Sequence, residues 1–317
     1  MRLRSQPGKS ASRTGSAADE QRQALLAVLL VIASGMLFVV MTTLVKALTA
    51  SLDAMVITWG RYFFHVAFVI LVFPRSIVGV ARSGQVAVQI GRSVLLLAAT
   101  VTNFLALTLL PLADVASIIF VAPIFVAGLS VLILRERVIA WRWVLVGMGF
   151  LGALLIIRPG SGDLGLGAVL ALGCALAYSL YQITTRIVRE AQPIVSLLYG
   201  GLVGTLVLSA ILPFHWQAPT LGQWAILGLI GSLGAGGHLL VIHALQRAEA
   251  SRVAPFTYVQ LVWAMLASFV VFGDAPALTT LAGAAIIVAS GLLLYRLDLK
   301  EAAAKSADKS AGASASE

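Results

Sequence analysis

The chain has 317 residues, of which 60% are hydrophobic and 11% charged, and its mean hydropathy is +0.98. Soluble domains carry about 25% charged residues and at most about half apolar residues, so this composition excludes a soluble fold. The net charge of +9 does not indicate a nucleic-acid ligand, because the bases are scattered among short loops and the two ends. A single cysteine, Cys174, excludes an internal disulfide and a multi-thiolate metal site.

Ten apolar segments are long enough to cross a membrane, for which a helix needs roughly 20 residues. The loops between them are too short to hold a soluble domain. The predicted spans, in chain order, are residues 24–45, 55–73, 89–110, 114–134, 141–158, 165–185, 194–213, 222–245, 253–272 and 277–296.

The positions of Lys and Arg support this number of spans. With the N-terminus inside, every base except Arg61, Lys46 and Arg158 falls in an end segment or in the loops on the same face. Bases concentrate on the cytoplasmic side of membrane proteins, and a miscounted span would destroy the alternation. Lys46 and Arg158 stand at span ends, from which long side chains reach the surface. The sequence thus predicts a multi-pass inner-membrane protein with both termini in the cytoplasm.

The two halves of the chain resemble each other. Residues 113–138 and 251–276 can be aligned without a gap, and Glu136 then aligns with Asp274. A span rich in small residues follows each segment. We therefore predict two five-helix repeats, 24–158 and 165–296, flanked by disordered tails at 1–23 and 297–317. Because five is odd, the second repeat enters the membrane upside down, an architecture that places a substrate near the midplane between the halves. The predicted fold class is an all-α membrane protein with ten transmembrane helices in two inverted repeats.

Two stretches carry a resemblance to a known family: LPLADVASIIFVAPIFVAGLSVLILRER and its counterpart AEASRVAPFTYVQLVWAMLASFVVFGD. Both resemble the EamA-type drug/metabolite transporter superfamily, over about residues 24–296. Pro123 and Glu136 match the family pattern, whereas Asp274 replaces the usual Glu and Leu261 stands where a Pro is expected. WGRYFFH, residues 59–65, also resembles members that take up riboflavin or S-adenosylmethionine. The resemblance implies a ten-helix carrier of small metabolites.

Arg61 is the base that lies inside a predicted span. A guanidinium at membrane depth costs about 2.5–3.5 kcal/mol on insertion scales, so it normally faces a partner or a wet cavity. His65, four residues on, shares its helical face. We predict that Arg61 and His65 bind an acidic group of the substrate. The alternative is an arginine that reaches the membrane surface or bonds to backbone carbonyls.

Aromatic and amide side chains in two later spans are predicted to complete the site. Tyr178 and Gln182, four residues apart in the sixth span, present a ring and an amide on one side, while Tyr181 is set apart from them. The ninth span contributes Tyr258, Gln260 and Trp263. Such groups stack on and hydrogen-bond a planar solute when they line a cavity, and pack between helices when they do not. The predicted cavity lies between spans two, six, seven and nine.

His238 is a candidate for proton coupling. It follows Gly236 and Gly237, which predict either a hinge or a close approach of two backbones. No acid lies in the middle of a span, so a histidine is the mid-span group that titrates near neutrality. Uniport or exchange requires no such group and is slightly favoured.

The sequence predicts a secondary transporter of a small organic metabolite that is planar or anionic. The alternatives are a membrane-embedded enzyme and a channel. No catalytic constellation, metal ligand set or cofactor motif is present; His238 and His243, for example, lack the four-residue spacing and the Glu of a zinc helix. The predicted partners are the solute and the lipid bilayer, and no nucleic acid. The oligomeric state stays open, with a homodimer among the alternatives.

Overall fold

The computed structural model describes residues 10–75, 86–134, 140–157, 165–187, 193–247 and 254–314, and these ranges contain helices and no strand. The α-helices are α1 (Ser10–Leu48), α2 (Ala54–Val72), α3 (Val86–Leu109), α4 (Leu112–Ile119), α5 (Ala122–Leu134), α6 (Ala140–Ile157), α7 (Gly165–Ile187), α8 (Pro193–Ile211), α9 (Leu221–Leu245), α10 (Val259–Phe272) and α11 (Leu278–Ser314). Short 3₁₀ helices occupy Leu212–Phe214 and Ala254–Tyr258.

The helices reproduce the ten predicted spans. Within the described ranges, seven helices are long and apolar enough to cross a membrane, and three further apolar segments are shorter: Leu112–Val126, Trp143–Ile157 and Phe256–Phe272. These three coincide with the fourth, fifth and ninth predicted spans. The chain is therefore an all-α, multi-pass membrane protein with ten helical segments.

The ends of the chain differ from the predicted disorder. Helix α1 already begins at Ser10, and α11 continues to Ser314. The C-terminal extension contains the strong helix-forming run Glu301–Lys305, of the EAAAK type. Extending an existing helix also avoids the cost of nucleating a new one. Residues 1–9 and 315–317 of the predicted tails lie outside the described ranges.

Two spans are interrupted at corresponding places in the two halves. Helix α4 ends at Ile119 and α5 begins at Ala122; Pro123, in the first turn of α5, has no N–H for a helical hydrogen bond. In the second half, the 3₁₀ helix with Pro255 precedes α10. The ring centroids of Phe120 and Tyr258 lie 5.5 Å apart, so the two interruptions contact each other. The second-half proline thus lies before α10, and not at Leu261.

Eight of the spans pack in a closed ring. Neighbouring helices follow the order α1, α9, α2, α8, α3, α7, the α4–α5 span, α10 and again α1. Helices α6 and α11 pack on each other outside this ring. The order is unchanged when each span of the first half is exchanged with its counterpart in the second: α1 with α7, α2 with α8, α3 with α9, and α4–α5 with α10. The two halves thus make equivalent contacts around a common centre.

The largest hydrophobic cluster extends from the ring to the outer helices α6 and α11. Part of it lies at one end of the ring, where α1 and α3 finish and α2 and α4 begin, with the buried residues Val45, Leu48, Leu52, Phe104, Leu107, Leu110 and Leu112. The Lys46 Nζ atom donates to the carbonyl oxygens of Leu107 and Leu110, at 2.7 and 2.9 Å, and so caps the end of α3. Lys46 therefore bonds to backbone at the predicted membrane surface. We call these seven residues the apolar plug.

Candidate functional site

Arg61 lies directly against the apolar plug, about two turns into α2. Its side chain is only 6% exposed. One Nη atom donates to Thr100 Oγ1 on α3 at 3.1 Å, and the guanidinium lies 5.0 Å from the ring centroid of Tyr62 and 5.8 Å from that of Phe104, a plug residue. The buried Nε atom has no hydrogen-bond partner. The alternative of an arginine that reaches the membrane surface is therefore wrong.

His65 lies on the inner face of α2 with Arg61, as the four-residue spacing predicts, and is 5% exposed. Its ring centroid is 6.2 Å from that of His238 on α9. His238 in turn contacts the edge of Phe38 on α1, with centroids 5.0 Å apart. The buried Nε2 atom of His65 has no hydrogen-bond partner. Arg61, His65 and His238 thus form one polar cluster between α1, α2 and α9.

The glycines before His238 serve close packing. Helix α9 runs unbroken through Gly236 and Gly237. A Cβ on Gly237 would lie 2.8 Å from the ring of Phe38, and the Gly237 carbonyl accepts a 2.8 Å hydrogen bond from Ser34 Oγ on α1. Side chains of α1 therefore pack directly on these glycines. A hinge at Gly236 and Gly237, like a close approach of another backbone, stays a prediction.

A second polar cluster lies on α7 and the first turns of α3. The rings of Tyr178 and Tyr181 stack with centroids 5.8 Å apart, because residues three apart on a helix are neighbours; the prediction that Tyr181 is set apart was wrong. Tyr181 covers the guanidinium of Arg92 at 5.2 Å. Tyr178 is 36% exposed and Gln182 is half-buried.

The predicted ninth-span residues lie across the ring, on and just before α10. The Tyr258 hydroxyl fills the space where a Cβ on Gly291 of α11 would lie, so it points toward the outer helix pair. Gln260 packs on Gly35 of α1, and the buried Nε1 atom of Trp263 has no hydrogen-bond partner. No hydrogen bond or ring contact found among the described residues joins these three to Arg61 or to Tyr178.

Arg92 is the main feature that the sequence analysis missed. Arg92 was assigned to a cytoplasmic loop because it stands near the start of the third predicted span. In the structure its side chain is only 5% exposed. Gln89 and Arg92, three residues apart on one face inside an apolar helix, were the available signal. Thr100 and Tyr62, which contact the Arg61 guanidinium, carry no comparable pattern.

No acid among the described residues forms an ion pair with Arg61 or Arg92. In the part of the chain that the structure describes, the ion pair found joins His215 to Asp53, which lie in two loops between helices. The same residues contain no group of three His, Cys, Asp or Glu side chains that could hold a metal ion. Within these ranges, the partners of the two guanidinium groups in the ring interior are neutral oxygen atoms and aromatic rings.

Comparisons with known proteins agree with this architecture. A solved structure superposes with a TM-score of 0.60 over 87% of this chain and 99% of its own, at 18% identity, which shows the fold alone. The S-adenosylmethionine uptake transporter of Rickettsia bellii is 29% identical over 61% of this chain and 67% of its own length. The riboflavin transporter of Vibrio cholerae is 31% identical over 58% and 63%. The pseudopaline exporter of Pseudomonas aeruginosa is 30% identical over 85% and 95%.

The model of the EamA-like transporter family matches the chain twice, at residues 25–158 and 165–296. Each match covers one of the two five-helix halves. The proteins similar to this chain are transporters of small molecules and not enzymes. This chain is a membrane transporter that belongs to the EamA-like transporter family.

Proposed function

We propose that the protein carries a small organic solute with an acidic group across the inner membrane by alternating access, and that Arg61 binds the acidic group inside the helix ring. The proposal includes both termini in the cytoplasm and repeats 24–158 and 165–296 in opposite orientations. The observation that carries it is the buried Arg61 guanidinium, which has an unpartnered Nε atom and no ion pair with an acid of the described ranges.

The energetic argument starts from the cost of the charge. An ionised side chain in a low-dielectric interior is normally paired, because burial without a partner is expensive. Thr100 supplies one neutral acceptor to Arg61, and the rings of Tyr62 and Phe104 supply two cation–π contacts. None of these neutralises the charge. A carboxylate or phosphate of the solute would do so, through the paired hydrogen bonds that guanidinium groups form with such anions.

The arrangement of the helices supports alternating access. The two halves contribute equivalent spans to one ring, and the buried residues of the apolar plug pack together at one end of it. With the N-terminus in the cytoplasm, the plug lies at the periplasmic end. Rocking one half against the other would open the plug and close the opposite end, as in other carriers built from inverted repeats. Arg61, directly below the plug, would then meet the solute from either side.

The aromatic residues favour a solute that also has a planar ring. Tyr178 is 36% exposed, lies midway along α7 and stacks on Tyr181, which covers Arg92. S-adenosylmethionine, the solute named for the relative in Rickettsia bellii, has both a carboxylate and a planar purine. We infer a solute of this general class for the present protein.

The experiment uses pairs of solutes that differ by one acidic group. The purified chain is screened by thermal stabilisation with nicotinate against nicotinamide, and with S-adenosylmethionine against its decarboxylated analogue. Solutes that stabilise it are then tested for counterflow in proteoliposomes. We expect binding and saturable counterflow for members with the carboxylate and at least a tenfold weaker response for their partners, from the 1.5–3 kcal/mol that a hydrogen bond to a charged group contributes, roughly.

The contrary result is equally clear. If nicotinamide and decarboxylated S-adenosylmethionine bind and exchange as well as their counterparts with a carboxylate, the anionic substrate class is wrong. Transport that never saturates would instead indicate a channel.

A further inference from the structure

Arg92 and Gln89 form a second buried polar group on α3. Gln89 is 0% and Arg92 5% exposed. Both side chains contact Ser196 on α8: the Arg92 Nη2 atom donates to its carbonyl oxygen, and the Gln89 Nε2 atom donates to its hydroxyl, each at 2.9 Å. A longer bond, 3.5 Å, joins Arg92 Nη1 to Thr185 on α7. The group therefore lies between α3 of the first half and two helices of the second.

Both side chains keep unused hydrogen-bonding capacity. The Arg92 Nε atom and the Gln89 Oε1 atom are buried without a partner. Because the Ser196 hydroxyl can donate as well as accept, rotating the Gln89 amide by 180° preserves that bond and leaves an NH₂ group unpaired instead. Together with the Arg92 Nε–H, that group would supply a second donor. Two donors and a positive charge on side chains that share the partner Ser196 suit an oxyanion.

Arg92 lies further from the apolar plug than Arg61 does. Thr100, which binds Arg61, is eight residues further along α3, which corresponds to about 12 Å along the helix axis. Among the described residues, Arg92 is thus the next buried positive charge along α3 that an anion would meet on leaving Arg61 in the direction away from the apolar plug.

We propose that Arg92 and Gln89 form a second oxyanion site, which holds the acidic group of the transported solute, a carboxylate or phosphate, on the cytoplasmic side of Arg61. The assignment of the ligand to the solute rests on the proposed function. The site itself rests on the contacts of Arg92 and Gln89 and requires no result at Arg61.

A purely structural link between the two halves would need no charge. Arginine is the more expensive choice at membrane depth, where an uncompensated cation must be offset by polar contacts. The contacts that the described residues make with Arg92 are neutral: a carbonyl, a hydroxyl and the face of Tyr181. An anion on this site would give the unpartnered Arg92 Nε–H a charge-assisted hydrogen bond.

Inorganic phosphate is the probe for the test. Apparent melting temperatures of the full chain in neutral detergent are measured against phosphate concentration at constant ionic strength. The variants are Arg61→Gln, Arg92→Gln, the double variant Arg61→Gln/Arg92→Gln, and Arg75→Gln, which removes an exposed arginine at the end of α2. We expect stabilisation of Arg61→Gln that disappears in the double variant, and a response of Arg75→Gln equal to that of the original chain.

The outcomes separate the two proposals. If phosphate stabilises Arg61→Gln and the double variant equally, there is no site at Arg92, whatever the result at Arg61. If Arg92→Gln responds and Arg61→Gln does not, the second site is overturned and the first stands. A response that phosphatidylglycerol already saturates would assign the site to a lipid headgroup and would overturn its link to the solute.

Gln89→Glu provides a test that removes no positive charge. This nearly isosteric change places a carboxylate beside Arg92, where it would act as an internal substitute for the anion. We expect a higher melting temperature without phosphate and a loss of the Arg92-dependent phosphate response. If Gln89→Glu instead lowers the melting temperature and keeps the full response, position 89 does not lie at the anion site, and the pairing of Gln89 with Arg92 in one site is wrong.

Discussion

Arg61→Gln is expected to lower kcat/KM for the acidic solute by about ten- to a hundredfold. Glutamine keeps a hydrogen-bond donor near Thr100 but removes the charge and the paired geometry that an oxyanion needs. A hydrogen bond to a charged group contributes about 1.5–3 kcal/mol, and each 1.4 kcal/mol corresponds to about a factor of ten. Initial rates of counterflow in proteoliposomes measure the effect.

The control for this prediction is Arg75→Gln. Arg75 is exposed just beyond the end of α2, so its loss changes the net charge by the same amount without touching the ring interior. We expect this variant to transport normally. Equal rates for Arg61→Gln and Arg75→Gln, with both proteins monodisperse in detergent, would show that Arg61 serves the fold alone.

Gly231→Ala is expected to destabilise the protein strongly. A Cβ atom at this position of α9 would lie 2.5 Å from Phe64 Cβ and 2.8 Å from the backbone nitrogen of His65 on α2. Because backbone cannot move aside as a flexible side chain does, the two helices would have to separate. Overpacking of this kind costs about 1–3 kcal/mol, and we expect the apparent melting temperature to fall by about 5–10 °C.

Gly222→Ala is the matched control on the same helix. A Cβ there meets nothing within 4 Å, and alanine favours a helix over glycine by up to about 1 kcal/mol. We therefore expect an unchanged or slightly raised melting temperature. If both alanine variants shift the melting temperature alike, the close contact between α2 and α9 is not what holds this part of the ring together.

The fold could be predicted from the sequence because hydropathy and charge are local properties of the chain. Span length and the alternation of bases depend only on the order of residues, and all ten predicted spans correspond to helical segments. Arg61 was identified for the same reason, since a base within an apolar run stands out. The interruption near Pro123 likewise follows from a local property, the missing N–H of proline.

The contacts between helices that are distant in sequence could not be predicted from these local properties. Arg92 was predicted to belong to a loop, but α3 begins at Val86, about two turns before it. Thr100 and Gln89 of the third span lie in the interior because of the order of helices around the ring. That order cannot be derived from a single sequence. Tyr258 illustrates the converse, because its polar hydroxyl is directed at Gly291 of the outer helix pair.

The electrostatic character of the ring interior can be measured without knowing the solute. In a Cys174→Ala background, which removes the single native thiol, Tyr178→Cys places a thiol midway along α7, at a partly exposed position. The measurement is the ratio of labelling rates for an anionic and a cationic methanethiosulfonate reagent, before and after Arg61→Gln. Trp216→Cys, at an exposed position outside the ring, provides the reference. At position 178 we predict that the anionic reagent labels faster than the cationic one, and that this preference falls after Arg61→Gln. Faster labelling by the cationic reagent, or a ratio of rates that Arg61→Gln leaves unchanged, would contradict an anion path through the ring.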